Sequence, residues 1–331
     1  MTASSIAAFD DPCHYQTAIQ GAQVRVLPTA KGRFHAELMQ VDLDRVWISR
    51  GRESLPRILE GAVDQSRATI VFPLAAHGFR HRGIEVAPGQ LVFCDWAEAQ
   101  SVSFAPCSWA TVSMSPAELT AAGRNLIGRE LAVPSTALVV EPDRGQMSEL
   151  LAVHAAAAQL ATIAPDRLAR RRVARSLEAS ITKAMIGCLT EVGSVARLAG
   201  RRLHANIMKR FTDFVEANPN EPLHLAEICA AVGAPERLLR ACCEEHLGMG
   251  PIRYLWLRRM HLAHQALLHH GPATATVTGI AIEFGFWELG RFSVQYRERF
   301  GELPSQTLRR PPCEPGAKAR VFSFEEHRAS A

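Results

Sequence analysis

No stretch of this chain reaches the roughly 18 consecutive apolar residues a membrane-spanning helix needs. Residues 1–10 lack the basic start and the apolar run of a secretory leader. A membrane protein and an exported protein are therefore not expected, and the reading is cytoplasmic. The eight cysteines show no CxxC spacing. Adjacent Cys242 and Cys243 suit neither an ordinary disulfide nor a zinc knuckle, so free and mostly buried thiols are expected. Catalytic signatures are missing as well: there is no Gly-x-Ser-x-Gly, no Gly-rich loop ending in Lys-Ser/Thr and no His-Glu-x-x-His. Gly248-Met249-Gly250 begins like a dinucleotide fingerprint, but Arg253 stands where its last glycine belongs. His77 and His81 lie four apart with Glu85 beyond, a spacing that does not converge on a metal from within one strand. The expectation is a protein that is not an enzyme and carries no cofactor and no metal. Charge is also in short supply. The net value is +4 over 331 residues, too little to establish a nucleic-acid partner, although Asp166 to Arg202 holds nine Lys/Arg against three Asp/Glu.

What the chain does have is a change of pattern along its length. Residues 1–14 read as a loose tail. From Val24 to Met114 short apolar runs alternate with turn signals. Phe34, Ala36 and Leu38 alternate with His35, Glu37 and Met39, Ala68 to Leu74 is compact and apolar, and Pro88-Gly89 precedes Leu91-Val92-Phe93. Ser101 to Phe104 and Ala110 to Met114 add two short candidates, and the set predicts a sandwich or small barrel. Near Pro142 the period shifts to helical. Ser148 to Ile163 and Asp166 to Leu189 predict two helices that either form a dimer face or cover the sheet, and the residues do not choose between them. Gly193 to Gly200 reads as a linker, and the segment after Arg310 as a disordered tail.

An internal repeat follows. Ile228, Cys229, Val232 and Gly233 recur 52 residues later as Ile280, Ala281, Phe284 and Gly285. Leu239, Cys243, Leu247, Gly248 and Pro251 recur 53 residues later as Phe292, Tyr296, Phe300, Gly301 and Pro304. Each unit predicts a helix-turn-helix. A small residue lets the helices cross closely, Gly233 and Gly285 supply the positive φ of a tight turn, and Gly248 and Gly301 end the second helix. Pro251 to His269 predicts one long helix that holds the units at a fixed separation.

The run Leu203 to Arg310 resembles the DNA-binding domain of the AraC/XylS regulator family. The resemblance rests on Gly248-Met249-Gly250-Pro251, Tyr254-Leu255 and Arg258-Arg259. It continues in Ile280-Ala281, Gly285-Phe286, Arg291-Phe292-Ser293, Tyr296-Arg297, Phe300-Gly301 and Pro304-Ser305. Gly285 to Phe292 is most similar to the ethanolamine-operon type. Two positions depart from the pattern: Pro235 replaces the usual serine at the start of the first recognition helix, and Cys243 replaces an aromatic, so the first unit is expected to be the weaker half. Asn206 to Arg310 carries twelve Lys/Arg and eleven Asp/Glu, so affinity for DNA must come from placement of charge.

The resemblance implies an α+β multidomain chain. Its parts are a β-rich, cupin-like sensor domain (1–140), a helical connector and candidate dimerisation region (141–200), an all-α domain with two helix-turn-helix units joined by a long helix (201–310) and a tail (311–331). It implies DNA contact by Arg237, Arg240 and Ala241 in the first unit and by Leu289, Gly290, Arg291 and Val294 in the second. Arginine can pair with guanine O6 and N7; the plainer alternative is contact with phosphate or with Glu236, Glu244 and Glu288. Expected partners are double-stranded promoter DNA, RNA polymerase, an unidentified small-molecule effector and a second copy of the chain. Trp47, Phe79, Arg80, Phe93, Trp96 and Trp109 are candidates for the effector site, with core packing as the alternative for each. The function expected is a sequence-specific transcriptional regulator, an effector-responsive activator. Cysteine-based DNA repair or redox sensing, or ligand-independent DNA binding under control of a protein partner, are the alternatives.

Overall fold

A computed structural model describes residues 3–94, 99–135, 137–190, 202–219, 221 and 223–310. The expected linker at 193–200 and the tail after Arg310 lie outside these residues. No helix among them is long and apolar enough to cross a membrane.

Two antiparallel sheets form the N-terminal part. The larger has the order β1 (Ala3–Phe9), β3 (Ala36–Asp42), β4 (Trp47–Glu53), β11 (Cys107–Met114), β6 (Ala68–Pro73), β9 (Leu91–Cys94) and β12 (Leu138–Val140). The smaller runs β2 (Ala22–Pro28), β5 (Arg57–Val63), β10 (Ala99–Val102), β7 (Phe79–His81) and β8 (Ile84–Val86). Residues 3–9 are therefore not a loose tail. They pair with β3 in the register Ala7 to Leu38, and α1 (Pro12–Ala18) follows, capped by the Asp11 side chain on the Cys13 N–H.

Period-2 alternation sends each strand's side chains to two different places. Inward residues such as Phe9, Val26, Leu38, Trp109, Phe79 and Val92 fill the space between the sheets. A buried polar cluster sits among them. Glu53 Oε1 accepts from the Tyr15 hydroxyl at 2.8 Å and from Trp109 Nε1 at 2.9 Å. Glu53 Oε2 accepts from Arg57 Nε at 2.9 Å, and Arg57 Nη1 donates to Ser101 Oγ at 2.7 Å. Position 51 must be glycine, because a Cβ there would stand 2.3 Å from the Trp109 ring.

The outer face of the larger sheet (Met39, Val41, Ile48, Ile70, Phe72, Phe93 and Val112) is covered by helices. These are α2 (Pro116–Ile127), α3 (Arg144–Ile163), α4 (Pro165–Leu168) and α5 (Arg171–Thr190). Of the two readings left open for the connector helices, covering the sheet is where α3 and α5 spend their apolar faces. α2 was not legible from periodicity, yet it carries a local start signal. Ser115 and Glu118 form a capping box, Pro116 occupies the first turn, and Gly128 ends the helix at φ 70°.

The helical C-terminal part packs on the outer face of the smaller sheet. Leu27, Ile58 and Val102 from β2, β5 and β10 share one core with Ile207, Met208, Phe211, Leu239 and Leu257. The molecule is thus four layers deep: helices, sheet, sheet, helices.

Candidate nucleic-acid interface

Among the described residues, seven helices build the C-terminal part: α6 (Arg202–Ala217), α7 (Leu225–Val232), α8 (Glu236–Leu247), α9 (Pro251–His269), α10 (Val277–Glu283), α11 (Leu289–Phe300) and α12 (Pro304–Leu308). The long helix expected from Pro251 to His269 is α9, with those limits. It lies between two similar helix pairs, α7–α8 and α10–α11. Gly233, Gly248, Gly285 and Gly301 have φ of 64°, 71°, 75° and 75°, the left-handed region that glycine enters without steric cost.

The first pair buries Ile228, Val232, Leu239, Cys242, Cys243 and Leu247. The second buries Ile280, Ala281, Phe284, Phe292 and Tyr296. Tyr296 fills the position that Cys243 fills in the first pair. Its ring packs against Phe292 and Phe300, and its hydroxyl donates to Thr307 Oγ1 at 2.8 Å. Neither α8 nor α11 has a side-chain cap. Their N-cap positions are Pro235 and Glu288, so the N–H groups of their first turns are left without side-chain acceptors.

The opposite faces are open. Arg237, Arg240 and Ala241 on α8 are exposed, as are Leu289, Gly290, Arg291 and Val294 on α11. Arg240 is held by Glu236 one turn away, Nε to Oε1 at 2.8 Å, with both side chains about half exposed. Arg291 stands 3.7 Å from Glu288. Both acidic partners are solvent-exposed, so each arginine can leave its partner at little cost. On the second pair Trp287 is 70% exposed and Val294 59% exposed, an apolar face quite unlike the arginine face of α8.

What is not open is the side turned to the smaller sheet. Arg80 Nη1 donates to the Glu245 carbonyl at the end of α8 at 2.9 Å, and the Arg80 guanidinium lies over the Phe104 ring. Tyr254 donates to Glu60 Oε2 at 2.8 Å. Arg25 pairs with Glu216 at 2.7 Å, and Glu216 also meets the buried Arg258 at 3.2 Å. Farther along α9, His264 Nε2 meets Asp11 Oδ2 at 2.8 Å. Burial of Asp11 opposes its ionisation, but the hydrogen bond and charge of His264 outweigh that and hold its carboxyl well below the usual range. Arg299 Nη1 on α11 donates to the carbonyls of Pro28 at 3.2 Å and Ala30 at 3.0 Å.

The candidate effector residues are dispersed. Trp109 and Phe79 point between the sheets but belong to separate clusters. Phe93 faces the covering helices, and Trp47 lies under the Arg67 guanidinium at 3.8 Å. Arg80 serves the interface with α8, and Trp96 lies outside the described residues. Among the described residues, these side chains fall in separate clusters. Asp11, Cys13 and His264 offer donor atoms within 4.8 Å of one another, but Asp11 already accepts from the Cys13 N–H and meets His264 directly. Of the residues that join the two parts, Tyr254 and Arg258 stand among those that carry the family resemblance, whereas Arg25, Glu60 and Glu216 have no local signal in the sequence.

A helix-turn-helix domain family matches residues 228–310. The chain is 38% identical over 106 residues to "Probable thc operon regulatory protein" of Rhodococcus erythropolis, covering 32% of each chain. It is 32% identical over 100 residues to "XylDLEGF operon transcriptional activator 2" of Pseudomonas putida, covering 30% of this chain and 64% of that one. The chain thus spans about a third of the first relative and under two thirds of the second. A solved structure of a probable AraC family transcriptional regulator from Rhodopseudomonas palustris CGA009 is 32% identical across 31% of this chain and 94% of that one, with a TM-score of 0.29. By its C-terminal helix-turn-helix segment, the chain belongs to the AraC/XylS family of transcriptional regulators.

Proposed function

We propose that the chain binds double-stranded promoter DNA with α8 and α11 as the recognition helices of two helix-turn-helix units. They enter one face of the duplex about 34 Å apart. The observation that carries this reading is the division of each helix pair into two faces. One is spent on core and sheet, and the other presents Arg237, Arg240 and Ala241, or Leu289, Gly290, Arg291 and Val294, to solvent. In the first unit, arginines suit bidentate contact with guanine. In the second, Leu289 and Val294 suit the thymine methyl group.

Residues 1–140 act as a cupin-like sensor, 141–200 as connector, and 201–310 as the DNA-binding domain of an effector-responsive activator that meets RNA polymerase in the cytoplasm. Homodimerisation through 141–200 is part of this reading, although α3 and α5 bury much of their apolar surface against the sheet. Light scattering showing only monomer at micromolar protein, with and without DNA, removes it. Thiolate chemistry at Cys107 and Cys188 is disfavoured, since burial pushes the first thiol up to about 11 and the second to about 12.

The test is selection of bound duplexes from a random pool, followed by anisotropy titration at fixed salt. A single enriched site with two half-elements one helical turn apart is expected. No enrichment over the starting pool removes the reading. Run-off transcription with and without the chain then decides between activation and repression.

A further inference from the structure

The interior of the sandwich is occupied by its own side chains, with Tyr15, Glu53, Arg57 and Trp109 bonded to one another at its centre. A large opening lies elsewhere. Between the outer face of β2, β5 and β10 and the helix α6 runs a cleft of about 850 Å³, within the range of about 300–1,000 Å³ that small-molecule sites occupy. One wall belongs to the sandwich, with Arg25, Glu60 and Gln100, and the other to α6, with Met208, Lys209 and Thr212.

The walls carry charges of both signs. Arg25, Arg82 and Lys209 stand against Glu60, Asp213 and Glu216. Arg25 is engaged by Glu216 at 2.7 Å and Lys209 by Asp213 at 3.3 Å. Glu60 is the exception among the anions. Its side chain is only 7% exposed, and Oε2 accepts from Tyr254 and lies 3.9 Å from Arg25, but Oε1 has no hydrogen-bond partner among the described residues. A buried carboxylate oxygen without a donor is an expensive feature that native structures rarely leave unmet. Burial accordingly pushes the Glu60 carboxyl up.

We propose that this cleft binds a small polar molecule carrying a protonated amine, with Glu60 as its anchor. The inference rests on the effector-responsive reading above and places the effector between the domains, not inside the sandwich. An ammonium group supplies the donor that Glu60 lacks once the carboxylate, whose Oε1 is buried, turns toward the cleft. A carboxylate placed against Glu60 brings no donor and adds a like charge beside it. Occupancy is coupled to the DNA-binding part because the same Glu60 holds Tyr254 of α9, and its neighbour Arg25 reaches Glu216 of α6, which in turn meets Arg258 of α9. A ligand that redirects Glu60 alters the contacts holding α6 and α9 on the sheet, and with them the seat of the first helix pair.

The experiment uses the full chain in thermal-shift and calorimetric titrations. The probes are methylamine, putrescine, glucosamine and L-lysine, with acetate, succinate and benzoate as the opposing set. At least one amine is expected to stabilise saturably, and the carboxylates are not. Glu60→Gln is expected to weaken that amine at least tenfold. Ala205→Trp, which fills the cleft from α6 and leaves Glu60, Tyr254 and Arg25 in place, is expected to abolish binding. The proposal is overturned by no response to any of the four amines, by an equal response to the carboxylates, or by unchanged affinity in Ala205→Trp. If Glu60→Gln fails to fold, Ala205→Trp decides alone. Anisotropy on the selected duplex separates the two readings: DNA binding without amine binding removes only the cleft, and amine binding without DNA binding removes only the DNA reading.

Discussion

At the scale of single residues, the sandwich is held by charge in a place where charge is costly. Glu53 and Arg57 are 0% and 3% exposed and 2.9 Å apart. Their worth lies less in mutual attraction than in the cost of leaving one alone in the interior. Glu53→Ala is therefore expected to cost about 3–5 kcal/mol in urea unfolding, since it strips the Tyr15, Trp109 and Arg57 donors of their shared acceptor. The exposed arginines follow the opposite rule. Arg237 makes no ion pair with the described residues, and Arg240 is only loosely tied to Glu236. Arg237→Ala is expected to lower affinity for the selected duplex by about 1–3 kcal/mol and to relax preference at one base pair. A uniform loss across all sequences, with a shallower salt dependence, assigns Arg237 to phosphate instead.

At the scale of elements, the ends of α8 and α11 do double duty. Gly248 closes α8 and Gly301 closes α11, both in the left-handed region. Both ends also touch the sandwich side of the molecule. A Cβ on Gly248 would come within 2.5 Å of the Phe104 ring, and one on Gly301 within 2.8 Å of the Arg33 side chain. Gly248→Ala therefore combines about 1–2 kcal/mol of backbone strain with a push against Phe104. It is expected to lower the unfolding midpoint, and Phe104→Ala in the same chain is expected to recover only the steric part. Full recovery in that double variant excludes the backbone contribution.

At the scale of the whole molecule, four layers enclose several histidines in their neutral form. Burial, helped by nearby positive charge, pushes His81 down to about 3, His154 to about 4 and His261 to about 3. The unfolded chain takes up these three protons near pH 6.5, the ordinary histidine value, whereas the folded chain resists them. Their contribution to stability is present above pH 6.5 and is lost as pH falls toward 4. Near pH 5 the expected slope is about 4 kcal/mol per pH unit, three protons at about 1.4 each. Urea midpoints measured between pH 4.5 and 7.5 check it. His154→Leu, which removes the ring between Phe72 and the Ser49 carbonyl, is expected to take about a third off that slope.

The helical third of the chain is legible without a structure because its signals are local. Apolar residues three and four apart, with a glycine at each turn, lie within one or two helical turns of each other, and their repetition 52 or 53 residues later marks a second copy of the same unit. The limits of α9, the positive φ of four glycines and the exposure of the seven residues named on α8 and α11 accord with that pattern. The rest depends on partners far along the chain. β1 reads as a tail because small residues such as Ala3, Ser4 and Ser5 carry no alternation of their own; pairing with β3 makes them a strand. Leu27, Ile58 and Val102 look like ordinary strand residues, and only the fold shows that they share a core with Phe211 and Leu239. Tyr254 and Glu60 stand 194 residues apart, and no spacing rule joins them. The amino-acid sequence by itself determined the helix pairs and their open faces, because periodicity and glycine act within a few residues. Tertiary structure alone decided which sheet face receives those helices and where a cleft remains, because that choice follows from competition among distant surfaces for burial.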